Sequence, residues 1–304
     1  QRGAMGARST TAESASLATR RYPIGVEAGA SGAGLAHARV WAPRRGRVEL
    51  VFFGDRASQD SIHLEAEGNG YFSGAVEATD GTLYKYRLDG GGVFPDPASR
   101  FQPDGPHGPS QVVDPGRYRW RDTTEGWRGV SLTGAVMYEL HVGTFTKEGT
   151  YDSAIAHLGD LSDLGVTIVE LMPLAEFPGR FGWGYDGVCH FAPYHHYGSP
   201  DALRRLVDAA HSHGLGVVLD VVYNHLGPDG NYLREFSEHY FKGATEWGDA
   251  VNFDGPHSGA VREHFVANAA YWIEEYHFDG LRLDATQQIF DHSTPHIISE
   301  VTRS

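Results

Sequence analysis

A chain of 304 residues with 40% hydrophobic and 12% aromatic content is long enough for one large core, or for one large and one small domain. Its 39 acidic and 25 basic residues leave a formal net charge of -14, which repels a phosphate backbone or an anionic lipid surface. Nucleic acid and membrane are therefore excluded as expected partners, while neutral polymers stay open. The single cysteine, Cys189, cannot close an internal disulfide, which points to the cytoplasm, and no window reaches the roughly 18 consecutive apolar residues of a membrane helix.

In chain order, residues 1–21 are small and polar, without the apolar run of a signal peptide, and read as a disordered arm. Residues 22–115 hold short runs rich in β-formers, such as ARVWAPRRGRVELVFF, HLEAEGNGYFSGAV and GTLYKYRLDG, separated by glycine and asparagine turns. They predict an N-terminal β-sandwich. The proline-rich run that follows Val93 is too irregular for a helix or a sheet interior, and residues 116–134 read as an ordered linker between domains.

Beyond Gly134 strands alternate with helices. AVMYELHV, VTIVELMP, LGVVLDVVYNH and FDGLRLDA read as strands; TYDSAIAHLGDLSDLG, DALRRLVDAAHSHG and AVREHFVANAAYWIEEYH read as helices. Four βα units with continuous apolar strands predict a parallel sheet covered by helices, either doubly wound or part of an eight-stranded barrel. HVGTFTKEG lacks the glycine spacing of a dinucleotide turn, and polar and aromatic residues gather after each strand. The expected fold class is therefore multidomain β plus α/β, a sandwich followed by the first four units of a TIM (β/α)8 barrel over residues 135–304.

Residues two apart in a strand share a face, so Arg282 and Asp284 point one way and Leu281 and Leu283 the other. The same parity pairs Asp220 with Asn224, and His225 lies just past that strand. A buried ion pair of the scaffold accounts for these charges; so does a barrel mouth in which an arginine keeps a carboxylate ionised as a nucleophile. GRFGWGYDGVCHFAPYHHYG concentrates aromatics among glycines. Phe191 and Tyr197 suit a satellite core, while Trp183 and Tyr185 suit flat platforms for sugar rings. Neither His195–His196 nor His211–His213 has ligand spacing, so no metal is expected, and the absence of a G-x-S-x-G run speaks against a serine hydrolase.

DVVYNH at Asp220–His225, followed by GLRLDA at Gly280–Ala285, resembles the first two catalytic signature regions of the alpha-amylase superfamily of retaining glycoside hydrolases. AVMYELHVGTFTKEGTY, IVELMPLAEFPGRFGWGYDGV, DVVYNHLGPDGNYL, NFDGPHSGAVR and EYHFDGLRLDATQQIFDHSTPHI resemble its trehalose-releasing branch. WAPRRGRVELVF and PDPASRFQPDGPHGPSQVVDP resemble the branch's sandwich domain, of the isoamylase N-terminal type.

The resemblance implies hydrolysis of the α-1,4 bond next to the terminal trehalose of maltooligosyltrehalose and related α-glucans. Asp284 is then the nucleophile and Arg282 holds it ionised. His225 and Asp220 form the floor of the sugar subsite, Tyr185 stacks beneath the ring, and Trp183 and Asp186 are further substrate-binding candidates. No cofactor is implied, since the chemistry needs carboxylates and water. In this family the general acid lies after a fifth strand, so the chain is expected to be truncated and inactive alone, and Glu300 is not assigned as the acid. Branching or debranching enzymes of the superfamily are the alternative, and a non-catalytic carbohydrate-binding protein is a second; oligomeric state is not legible.

Overall fold

Alternation of apolar and polar residues in LAHARVW and LYKYRL buries every second side chain, which is the pattern of antiparallel strands with one face on a core. The computed structural model describes residues 20–29, 34–54, 61–122 and 126–303. One antiparallel sheet takes β1 (Gly25–Ala28), β2 (Leu35–Trp41), β6 (Tyr71–Glu77) and β5 (Glu65–Gly68), in that spatial order. A second takes β4 (Ile62–His63), β3 (Val48–Phe53), β7 (Leu83–Leu88) and β8 (Val93–Phe94), with β9 (Ser110–Gln111) also pairing β7. Residues 1–19 of the segment read as an arm lie outside the described residues. Its last two residues are anchored: the Arg20 guanidinium donates to the carbonyls of Tyr22, His37 and Gly25, and Arg21 pairs with Glu275 at 3.0 Å.

The second half of the chain is built on a parallel sheet in the order β10 (Met137–Leu140), β11 (Ile168–Leu171), β14 (Gly216–Val221), β17 (Gly280–Leu283). Its register sets Glu139 beside Glu170 and Asp220 beside Arg282. All six residues of β14 are buried, as expected for a central strand covered on both faces. The outer strands differ. β17 is only partly buried and Arg282 remains 44% exposed, so the expectation of charges inside a core strand is corrected: an outer strand has a neighbour on one side only.

Helix signals hold at the ends of the longer helices. Ser199 caps Pro200–Ser212 by accepting from the Ala202 N–H, and the nineteen-residue helix Ser258–Tyr276 stops where His277 turns left-handed. The single helix expected over residues 150–165 is instead two, Tyr151–Ile155 and Leu158–Leu164. The His157 N–H bonds back three residues to Ala154 rather than four, which tightens and ends the first.

The two halves share one core. Trp41 packs edge-on against Tyr240 and Tyr86 against Phe236. Arg100, fully enclosed, lies over the rings of Tyr22, Phe191 and Tyr271. Asp122 and Trp127 fasten, through His211, to Asp279 at the start of β17. His211 meets Asp122 through Nδ1 and Asp279 through Nε2, each at 3.0 Å, and Trp127 stacks on His211 while donating to Asp279.

Candidate active site

The site lies where β14 and β17 end. Asp284 follows the last residue of β17, its N–H still bonded to the Val221 carbonyl, so the ladder fixes it one step beyond the sheet. Arg282 Nη1 donates to Asp220 Oδ2 and to Asp284 Oδ1, at 2.7 Å each. One guanidinium nitrogen thus holds two carboxylates from adjacent strands. Tyr185, from the loop after β11, donates its hydroxyl to the same Asp220 oxygen at 3.0 Å, which fixes the orientation of its ring. Asn224 donates to the Asp284 carbonyl at 3.1 Å and faces His225 Nδ1 with its amide oxygen.

The two carboxylates differ in access. Asp284 has 18% of its side chain exposed and Asp220 has 1%. The second oxygen of Asp220 is buried without a hydrogen-bond partner among the described residues, and Asp220 borders a cavity of about 20 Å3. Burial pushes the Asp220 carboxyl above the usual carboxylate range, and the hydrogen bond from Arg282 opposes that rise. Burial likewise lowers His225, against the opposing charges of Asp186 and Asp284, and keeps its imidazole neutral near pH 7. Tyr185 is raised by burial and then by Asp220, so it stays a donor. Asp284 is therefore the carboxylate that a substrate can reach, and Asp220 the one that is enclosed.

Arg282, Asp284, Asp220, Tyr185 and His225 stand together, with Asp186 acting on His225 through its charge. Trp183 does not join them: it lines a neighbouring cleft with Phe181. Glu300 is held by Arg262 at 3.0 Å, which also grips Asp291. Three residues of the neighbourhood were missed by sequence reasoning. Asn224 was read only as a face-mate of Asp220. Trp247, at the tip of the hairpin β15 (Phe241–Thr245) and β16 (Gly248–Val251), comes within 5.6 Å of the His225 ring; a tryptophan in a short turn was its one sequence signal. Glu170, raised by burial and by Asp220 and Glu139, looked like any residue of a hydrophobic strand.

Among the described residues no group of three His, Cys, Asp or Glu is placed to hold a metal ion, and no helix is long and apolar enough to cross a membrane.

Residues 118–256 match the family model of the alpha-amylase catalytic domain, and the chain has an alpha-amylase-type fold with a parallel sheet. It is 49% identical over 269 residues to a malto-oligosyltrehalose trehalohydrolase from Arthrobacter ramosus, which covers 86% of this chain and 45% of the relative. A 1,4-alpha-glucan branching enzyme from Xanthomonas oryzae is 34% identical over 217 residues, 65% of this chain and 29% of the relative. A solved structure from Salmonella typhimurium, described as an alpha amylase, superimposes with a TM-score of 0.85 at 44% identity, over 92% of this chain and 46% of the other. The chain thus spans about half the length of the trehalohydrolase it matches.

Proposed function

From a chain that carries an alpha-amylase-type catalytic segment and resembles malto-oligosyltrehalose trehalohydrolases over most of its length, we propose that these residues form the nucleophile half of a retaining glycoside hydrolase. Its substrate is maltooligosyltrehalose, its cleaved bond the α-1,4 link next to the terminal trehalose, and its product free trehalose. The observation that carries the reading is the shared guanidinium: Arg282 holds the accessible Asp284 beside the enclosed Asp220.

Asp284 attacks the anomeric carbon and forms a glycosyl-enzyme ester, and the Arg282 guanidinium orients its carboxylate through a hydrogen bond to Oδ1. Tyr185, anchored through Asp220, lies flat beneath the ring. Neutral His225 and Asn224 complete the floor. The residues from Tyr22 onward form an isoamylase-type sandwich, then a linker over residues 116–134, then the first four units of a (β/α)8 barrel whose strand ends carry the site.

Retention also requires a second carboxyl, about 5–5.5 Å from the nucleophile, holding a proton for the leaving oxygen. Asp220 does not serve: one of its oxygens accepts from Arg282 and Tyr185 and the other is enclosed away from substrate. Glu300 is committed to Arg262. The 304-residue chain is therefore expected to bind maltooligosyltrehalose without measurable turnover, and substantial trehalose release by it would overturn the inactivity. In protein that does release trehalose, Asp284→Asn is expected to lower kcat by roughly 10^3-fold or more at unchanged circular dichroism. Release that survives this substitution would remove Asp284 from the nucleophile's role.

A further inference from the structure

Asp220 Oδ2 accepts from Arg282 and Tyr185, but Asp220 Oδ1 is buried and has no hydrogen-bond partner among the described residues. His190, on the strand Cys189–Pro193, is buried too, and its Nε2 likewise has no partner among the described residues. Both residues border one cavity of about 20 Å3. Buried polar atoms are paired in nearly every case, so two that border one cavity call for a common partner.

The chemistry of the pair defines that partner. Burial lowers His190 to about 4 and keeps the ring neutral near pH 7; the hydrogen bond at Val222 opposes the fall, as a bond in which the ring donates does. Nδ1 therefore carries the proton and Nε2 a lone pair. The ring is held in place by edge contacts with Tyr223, His264 and Phe265. Asp220 Oδ1 of an ionised carboxylate is an acceptor as well. Two acceptors cannot satisfy each other; they need a group with two donors between them. The other polar side chains of the wall are taken: the Tyr223 hydroxyl donates to Asn268 Oδ1 at 2.7 Å, and Asn268 Nδ2 donates to the His190 carbonyl at 2.9 Å. Water supplies two donors in the smallest volume, and a cavity takes one water from roughly 10–15 Å3 upward.

The loop that carries Tyr185 forms part of the same wall through Gly184 and Gly187. A Cβ at Gly184 would collide with the Pro173 carbonyl oxygen, and one at Gly187 with the Ala175 Cβ, so the loop packs as closely as glycine permits. We propose that one water molecule sits in this cavity and donates to Asp220 Oδ1 and to His190 Nε2, which makes His190 a positioning residue for Asp220 and, through it, for Tyr185. With Oδ1 engaged, the other carboxylate oxygen stays turned toward Arg282 and the Tyr185 hydroxyl. Only the consequence for sugar binding rests on the α-glucan reading above; the water site does not.

A crystal structure of the 304-residue chain, at a resolution that shows ordered water, tests the site. Density about 2.7–3.2 Å from both atoms is expected. Density at one of them alone, or at neither, overturns the proposal, and so do contacts of about 2.0–2.1 Å, which identify a zinc ion. The positioning role shows in the 13C resonance of the Asp220 carboxyl followed against pH. Arg282, Tyr185, Asp284 and Glu170 are the titratable groups that act on Asp220, and His225 and His264 those that act on His190; all are kept in the His190 variants. His190→Phe preserves a ring and removes the acceptor, so the Asp220 titration should move to higher pH. His190→Gln, whose amide oxygen accepts again, should bring it back toward the wild-type position. An unmoved titration in folded His190→Phe protein, whatever its loss of stability, reduces His190 to packing and overturns the positioning role. Asp220→Asn, close in shape, should shift the 15N resonance of His190 Nε2, because the shared water loses its charged acceptor; an unmoved resonance overturns the link even where the His190 variants do not fold. A wild type that holds the water yet binds no maltotriose supports the site and overturns only the α-glucan reading.

Discussion

Ala285, next to the candidate nucleophile, has φ 41°, a left-handed backbone that costs an L-residue roughly 1–2 kcal/mol. The ladder bond at Asp284 and the short helical turn Thr286–Gln288 hold it there. Ala285→Gly is therefore expected to leave stability unchanged or slightly higher, while Ala285→Val, β-branched, should cost on the order of 1–2 kcal/mol or more. Urea denaturation decides: equal midpoints for the two variants would mean the backbone is not left-handed. Strand period two was enough to place Arg282 and Asp284 on one side, because that depends only on local geometry. The pairing of Arg282 with Asp220 depends on the register of β17 against β14, which local sequence does not encode. By residue type Trp183 and Tyr185 both suited a sugar platform and only the resemblance ranked Tyr185 first; that Trp183 lines a neighbouring cleft is invisible without the backbone. Trp247 reaches His225 only through a hairpin folded back over the sheet end.

At the scale of elements, the segment read as a linker is the one whose contacts were least legible. Its prolines and glycines announced an irregular path; nothing in them announced that Asp122 and Trp127 would fasten to His211 and Asp279. The H-x-H spacing at His211 gave no metal-ligand geometry, and the carboxylates that face this histidine come from residues 122 and 279 and meet only in the fold. Burial alone would raise Asp279, but hydrogen bonds from His211, the Val217 N–H and Trp127 outweigh it and hold the carboxyl below its ordinary range. A depressed carboxyl contributes stability that is fully present above its unfolded value, about 3.9, and lost as pH falls through the lower folded value. Asp279→Asn is therefore expected to destabilise by about 1–3 kcal/mol at pH 7, and the deficit should shrink once pH drops below about 4. Chemical denaturation of both proteins across pH 3 to 7 measures it, and a deficit that widens toward acid would contradict the clasp.

For the whole molecule, the β-rich first half and the strand–helix alternation of the second were legible because each rests on a period repeated over many residues. How the halves meet was not, since it depends on single buried groups such as Arg100 and the histidines near it. His264 has no exposed surface, and neither ring nitrogen has a hydrogen-bond partner among the described residues. It packs against Phe191, Tyr240, Phe265 and His190, with Arg100 the nearby charge that acts on it. Burial holds His264 well below its ordinary value, His190 and Arg100 adding to the effect. Burial lowers His190 to about 4, against a hydrogen bond at Val222. Below about pH 6.5 the unfolded chain takes up protons that these folded imidazoles refuse. The stability they protect is complete above that pH and falls by about 1.4 kcal/mol per pH unit for each histidine as pH drops toward the folded values. Carboxyls raised by burial, Asp96 and Glu176 among them, act with the opposite sign, so the total curve mixes both. The difference between wild type and His264→Phe cancels the carboxyls. Denaturant midpoints between pH 7.5 and 5 should decline less steeply in the variant, by about one histidine's share; parallel curves would show that His264 is not held neutral where the two halves of the fold join.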